Sequence, residues 1–273
     1  MEPDAGDVTQ DCAPAGTMRP WPARSEENLL RIPFLICALL AALPAAGDPL
    51  SDLRAVLRRY PANAPFAASA SLQVQGDSQG VAGARAGSAR FEVEIGPAGL
   101  VIRVRPAALE AAESEAENKK RNPENLTPTR TAMAALTIFN VVDAVDVAAM
   151  LLNDLDGATL IQQMPSTHAG KPATLLRIQV KSTLAGTSSR FVNVPKIELR
   201  LWIESNGIPV AAERDSIYSA SFLFVKAGNE RRERWELAVF GDRLYASRND
   251  ENNRASALGK SMVGSRSVTY VPK

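Results

Sequence analysis

A period of two governs most of this chain. Ala89, Phe91, Val93 and Ile95 alternate with Arg90, Glu92 and Glu94, the pattern of a half-buried β-strand. Gly96-Pro97-Ala98-Gly99 breaks the run, and Leu100, Ile102 and Val104 resume it. Closing that loop pairs Ile95 with Leu100, Val93 with Ile102 and Glu92 with Arg103, so aliphatics share one face and opposite charges meet on the other. A weak strand over 69–75 precedes this hairpin. After Gly157 the habit returns: strands are expected at 159–164 and 174–181, at Ile197 to Glu204, at 219–225, 234–240 and 244–247, and finally at 268–271. Asn206-Gly207 predicts a type I′ turn and Gly241-Asp242 a type II′ turn. Ala227-Gly228-Asn229-Glu230 is the expected link between 219–225 and 234–240. The stretch 249–265 is polar throughout and is expected as a flexible segment. These signals predict an α+β fold: a strongly curved antiparallel sheet, a half-barrel of about ten strands, with a leading helix and an inserted helical pair over one face.

Three segments carry the helical period instead. Pro49 to Tyr60 places Leu53, Val56, Leu57 and Tyr60 on one face and Arg54, Arg58 and Arg59 on the other, with Ser51 as the expected N-cap. Residues 107–130 read as a helical and linker insert. Its Ala/Glu-rich part, 107–121, has acids early and Lys119, Lys120 and Arg121 late, with Glu115–Lys119 and Glu117–Arg121 as i,i+4 pairs, and has Leu109 as its one large apolar residue. Such a helix is a solvated spacer. Residues 131–154 differ: Ala134, Ile138, Val141, Val145, Ala148 and Leu152 form one stripe, while Met133, Leu136, Phe139, Val147, Met150 and Leu151 make the other side apolar too. A helix apolar nearly all round needs cover on both sides. The sheet supplies one cover, and the six residues of the second face are the candidate ligand-binding set.

Arg31 precedes the apolar run Ile32 to Leu43, which ends at Pro44 and Ala45-Ala46-Gly47. A charged start, a short apolar run and small residues before Asp48 define a secretory signal peptide, too short to span a bilayer. The expected product is a periplasmic protein of a bacterial envelope, beginning at Asp48 as a single domain over 48–273. The acidic residues ahead of the signal, from Glu2 to Glu27, suggest a true start downstream, at Met18 or near Leu29. Processing removes Cys12 and Cys37, hence all thiol chemistry, and moves the formal charge from +1 to +4 because three Arg and six acidic residues leave with the leader. That charge is mild and dispersed, which gives no reason for a nucleic-acid partner.

Catalytic patterns are scarce. His168 is the one histidine and sits in the loop-like Pro165 to Pro172, where an exposed turn residue is expected. No cluster of metal-ligand type, no phosphate loop and no Gly-x-Ser-x-Gly elbow occurs in the sequence, so no cofactor is expected. Asp143 and Asp146, three apart, form a candidate carboxylate pair, for which the plainer account is a solvated helix edge. Trp202 and Trp235 fall in strands and are expected as cover or core.

The leading helix Pro49 to Tyr60, the long meander, Val147-Ala148-Ala149-Met150-Leu151-Leu152 running into strand 157–164, and Leu201-Trp202-Ile203-Glu204-Ser205-Asn206-Gly207-Ile208-Pro209 together resemble the LolA-type superfamily of periplasmic lipoprotein carriers and lipid-binding envelope proteins. The resemblance is architectural and spans most of 50–250. It implies a curved sheet covered by helices, with an apolar space between them that holds acyl chains. Two functions follow as expectations. One is a non-enzymatic binder of a hydrophobic, lipid or acylated ligand beneath helix 131–154. The other is an envelope interaction module whose second helix face is closed by a partner or by a homodimer.

Overall fold

The computed structural model describes residues 47–78, 85–182, 192–222 and 225–273. The leader, both cysteines and the alternative start sites therefore lie outside the described residues, with Gly47 alone of the leader inside them. Helix α1 spans Pro49–Leu57. Its cap is Asp48 and not Ser51: the Asp48 carboxylate accepts from Leu50 N at 3.1 Å, and Pro49 fills the first turn where no N–H is needed. Leu50, Leu53 and Leu57 are buried against the core, and Tyr60 packs on it from beyond the helix.

The strands are β1 Phe66–Ser78, β2 Arg85–Gly96, β3 Gly99–Val104, β4 Thr159–His168, β5 Lys171–Val180, β6 Val192–Ile203, β7 Pro209–Phe222, β8 Val225–Phe240, β9 Arg243–Ala257 and β10 Lys260–Pro272. They form one antiparallel sheet in the order β3-β2-β1-β10-β9-β8-β7-β6-β5-β4, open at β3 and β4 and not closed into a barrel. Every neighbour is a sequential hairpin except β1 with β10, which ties the two ends of the domain together.

The register of the β2–β3 hairpin is the one the alternation predicts, with Ile95 opposite Leu100, Val93 opposite Ile102 and Glu92 opposite Arg103. Arg103 nevertheless pairs diagonally with Glu94, while Glu92 turns to Ser69 and Lys273. Several strands outrun the expectation. The segment 249–265 is not a flexible polar stretch but most of the β9–β10 hairpin, because its backbone is paired between neighbouring strands and Glu251 meets Arg231 of β8 and Arg266 of β10. The turn expected at Ala227 to Glu230 lies inside β8. Asn206-Gly207 is not a type I′ turn: Gly207 N donates to Glu204 O at 2.9 Å, Gly207 alone of the pair takes positive φ (84°), and Asn206 Oδ1 accepts from Ile208 N. That is a longer loop ending in a left-handed glycine. Gly241 (φ 62°) closes β8 to β9 as expected.

The helix over 131–154 is three helices. These are α3 Pro128–Ala134, α4 Ile138–Val145 and α5 Val147–Asp154, preceded by α2 Pro106–Arg121. Thr137 Oγ1 accepts from Asn140 N and Asp146 Oδ1 from Ala149 N, so each break is an N-cap that competes with helix continuation. Asp146 is thereby a cap and no partner for Asp143. Helix α2 buries no residue, as a spacer should. Its Glu115 does not pair with Lys119. It reaches forward and accepts from Thr129 N and Arg130 N at 3.0 Å each, capping α3. Burial works to raise the Glu115 carboxyl, but those backbone donors outweigh it and hold it below its usual value. Helix α3 lies directly on β2, where a Cβ on Gly87 would stand 2.0 Å from Pro128 O. Only glycine permits that approach.

Helices α4 and α5 pack on β9, with Val141, Ala144, Val145, Val147, Ala148 and Leu151 buried against Leu199, Leu201, Trp235, Leu244 and Ala246. Arg243, 2% exposed, fastens this layer by donating to Val145 O, Ala62 O and Ala64 O. Among the described residues no helix is long and apolar enough to cross a membrane.

Candidate functional site

The register places charged residues beneath the helices as well as away from them. Arg214 on β7 stands opposite Glu233 on β8, Glu233 opposite Glu251 on β9, and Glu251 opposite Arg266 on β10. The row therefore reads Arg, Glu, Glu, Arg on the face that α4 and α5 cover. Two adjacent carboxylates repel unless a cation bridges them, and Arg231, one row away, does so. Its Nη2 donates to Glu233 Oε1 at 2.8 Å and to Glu251 Oε2 at 3.3 Å. Arg266 gives Nε and Nη2 to Glu251 Oε2. Arg214 gives Nε and Nη2 to Glu233 Oε2, reaches Asp154 of α5 at 3.1 Å, and lies 5.2 Å above the Trp235 ring.

Glu233 is 3% exposed, so this network is largely withdrawn from water. Burial pushes the Asp143 and Asp154 carboxyls up, with Arg214 opposing it at both. Burial also disfavours charge on Arg214, but the surrounding carboxylates, Glu233 and Asp154 foremost, hold its guanidinium above its ordinary value. The Asp154–Arg214 contact is thus a fixed cation facing a carboxyl that takes a proton more readily than usual.

Beside the row lies an open crevice of about 280 Å³ between two layers. Thr131, Ala135 and Asn140 of the α3–α4 region form one wall, and Glu251, Asn253 and Arg266 of the sheet form the other. Among the described residues, five buried side-chain atoms on the same face have no hydrogen-bond partner: Asn229 Oδ1, Arg231 Nε, Trp235 Nε1, Asn249 Oδ1 and Asn253 Oδ1. They are ordered by the register, Trp235 opposite Asn249 and Arg231 opposite Asn253. Arg231 Nε is 3.1 Å from Glu251 Oε1 but misaligned for a hydrogen bond.

The six residues expected to line a ligand site do not share one surface. Val147, Met150 and Leu151 are buried in the core, and Leu136 packs against it. Met133 is half-buried, and Phe139 is 81% exposed. The cause is the break at Thr137, which rotates α4 relative to α3. Ile138, Phe139 and Val142 now form an exposed apolar strip on α4 while Val141, Ala144 and Val145 face the sheet. Asn140, next to Phe139, lines the crevice.

His168 is not an exposed loop residue. It ends β4, its side chain is 15% exposed, its Nε2 is 2.8 Å from Glu236 Oε2, and its ring faces Trp202 at 6.1 Å. Trp202, Ala211 and Glu236 lie on the face away from the helices, so the tip of the β4–β5 hairpin folds over that face. Two larger hollows, about 480 and 490 Å³, share Arg232 and Asn252 on that same face. Arg232 is already paired with Asp215 there, and Arg200 with Glu198, Glu213 and Asp215. Trp235, as expected, is core. Among the described residues no group of three or more His, Cys, Asp or Glu is placed to hold a metal ion.

Sequence reasoning missed the buried row because charges in 230–236 occupy both parities and so show no period. That double parity was itself the signal: a strand charged on both faces must pair some of its charges beneath a cover. Comparison with protein-family models, curated proteins and solved structures found no match to this chain.

Proposed function

We propose that this is an exported, non-enzymatic protein of a bacterial envelope that binds an amphiphilic, lipid-type ligand at the crevice between the sheet and helices α3 and α4. One observation carries the reading: exposed Ile138 and Phe139 stand next to Asn140, which lines a crevice whose far wall is charged and polar. An apolar lip beside a polar recess suits a molecule with a chain and a head. The export signal and the architectural resemblance to LolA-type carriers support the compartment and the ligand class. The curvature of the sheet belongs to the same reading. Support comes from His168 meeting Glu236, since β4 and β8 are four strands apart and a flat sheet would separate them by about 19 Å. The bend is toward the face without helices, so the ligand is assigned to the crevice and not to a deep half-barrel.

Native mass spectrometry of the protein purified without detergent tests this. Co-purified acyl species, or saturable binding of a fluorescent acylated probe weakened by Phe139→Ser, is the expected result. Neither signal appearing would overturn it.

A second reading, an assembly module, is favoured by the strip Ile138, Phe139 and Val142 itself. Three exposed apolar residues on one helix also suit a second copy of the chain. Sedimentation separates the two: a dimer dispersed by Phe139→Ser, with no lipid bound, selects the second.

A further inference from the structure

The tip of the β9–β10 hairpin is built against local preference. Ala257 pairs with Lys260, so Leu258 and Gly259 alone make the connection, and both take positive φ (52° and 74°), as a type I′ turn requires. Asparagine, aspartate or glycine suits the first of those positions, and a leucine there is strained. No burial offsets the strain, because Leu258 is 75% exposed. The turns Ala169-Gly170 and Gly241-Asp242 close their hairpins with small or polar residues instead.

Apolar exposure continues below the apex on both faces of the hairpin. The register puts Met262 opposite Ala255, on the helix-covered face with Gly264, and Val263 opposite Arg254 on the other face. Both Met262 and Val263 are half-exposed. On the outer face Val263, Arg254, Glu230 and Ile217 form one row through β10, β9, β8 and β7, and Ile217 is half-exposed as well. A flat protein surface would cover one face of such a tip and leave the other in water. A bilayer surrounds whatever enters it. From Gly259 to Met262 is about 10 Å of strand at ~3.4 Å per residue, and the bilayer interface takes apolar groups to a depth of about 5–10 Å. Lys260 is exposed beside the apex, where its apolar stem can lie among acyl chains while its ammonium stays at the phosphates.

The same hairpin leads to the crevice. Met262 and Gly264 are two positions apart, hence on one face and about 7 Å from each other. Gly264, paired with Gly76, lines the crevice. Leu258, Met262 and the crevice therefore follow one another from the apex inward.

We infer that the β9–β10 tip enters the interfacial layer of a lipid bilayer, with Leu258 at its apex, and so brings the crevice to the membrane surface. This rests on the amphiphile reading above for what the crevice takes up, and adds where the protein meets it. The strained leucine is retained for contact with lipid and not for folding.

The test is co-sedimentation with vesicles of equal parts phosphatidylethanolamine and phosphatidylglycerol, comparing the unaltered protein with Leu258→Asn. Asn-Gly is a preferred type I′ pair, so the variant should melt at or above the temperature of the unaltered protein. Its partitioning onto vesicles should fall about tenfold or more, the scale of losing one buried leucine. Both proteins carry the same N-terminus, so the difference between them reads the tip alone. Equal partitioning of the two, including none by either, overturns the inference. A dimer that Leu258→Asn disperses, without vesicle binding, assigns the tip to a second copy and overturns it too. A fluorescent acylated probe added without vesicles keeps the two readings apart. Probe binding by both proteins with no difference on vesicles overturns the tip inference and leaves the ligand reading standing. Vesicle binding lost in Leu258→Asn, with no probe bound by either protein, upholds the tip and overturns the ligand reading.

Discussion

Asp154 closes helix α5 and Arg214 sits in the middle of β7, sixty residues on, and their side chains meet at 3.1 Å beneath the helix layer. This contact joins the helices to the charged row Arg214, Glu233, Glu251 and Arg266, so helix docking and sheet electrostatics are one network. Arg214→Leu would leave Asp154 buried without its cation and Glu233 with Arg231 alone. We expect a loss of about 3–5 kcal/mol in urea unfolding, far above the ~1 kcal/mol of an exposed pair. A loss below ~1 kcal/mol would mean that the network is solvated.

Asp143 gives a pH signature. Its folded carboxyl sits above the ordinary value of 3.8, chiefly through burial, so the folded state binds a proton more tightly than the unfolded state. Stability therefore falls as pH rises from about that value through the raised one. Asp143→Asn should flatten this decline and raise the melting temperature at neutral pH. A steeper decline in the variant would contradict the assignment.

The breaks in the helix layer rest on two caps. Thr137→Ala and Asp146→Ala should each cost about 1 kcal/mol. Were 131–154 one continuous helix, alanine at either position would be neutral or stabilising. Paired thermal melts distinguish the two directly.

Gly87 and Gly264 make a matched pair. Gly87→Ala drives a methyl to within 2.0 Å of Pro128 O and should separate α3 from β2 at a cost of about 1–3 kcal/mol. Gly264→Ala points into open space and should change stability far less. Hydrogen exchange in 128–134 reads the first effect locally.

His168→Ala should free the β4–β5 hairpin tip from Glu236. The expected outcome is faster amide exchange over 164–174 and altered fluorescence from Trp202, with little change in the β1–β10 region. Uniform destabilisation of the whole sheet would argue that the tip is part of the global core.

Much of the fold was legible because a period of two is a local property. The β2–β3 register follows from Phe91, Val93 and Ile95 facing Leu100, Ile102 and Val104, and slipping by one residue would turn all of them to water. The solvated spacer α2 was legible for the same reason: it lacks an apolar stripe, and none had to be buried. Elsewhere two local signals competed. Thr137 and Asp146 are good caps inside a good apolar stripe, and only the fit of α4 and α5 onto β9 decides that the caps prevail. The polar run 249–265 was invisible as a hairpin because Asn, Arg and Glu form strands only when a partner strand receives them.

What the sequence determined alone, then, is the antiparallel character of the sheet, the β2–β3 hairpin and its register, the leading helix, the insertion between β3 and β4, and the expectation of an export leader. The tertiary structure decided which charges are buried. Arg214, Glu233, Glu251 and Arg266 come from four strands, and no local pattern reveals that they form a row until the strands are in register. It also split the six expected ligand residues, sending Val147, Met150 and Leu151 into the core and Phe139 into water. Burial is a property of what lies above a residue, and here that cover comes from a different part of the chain.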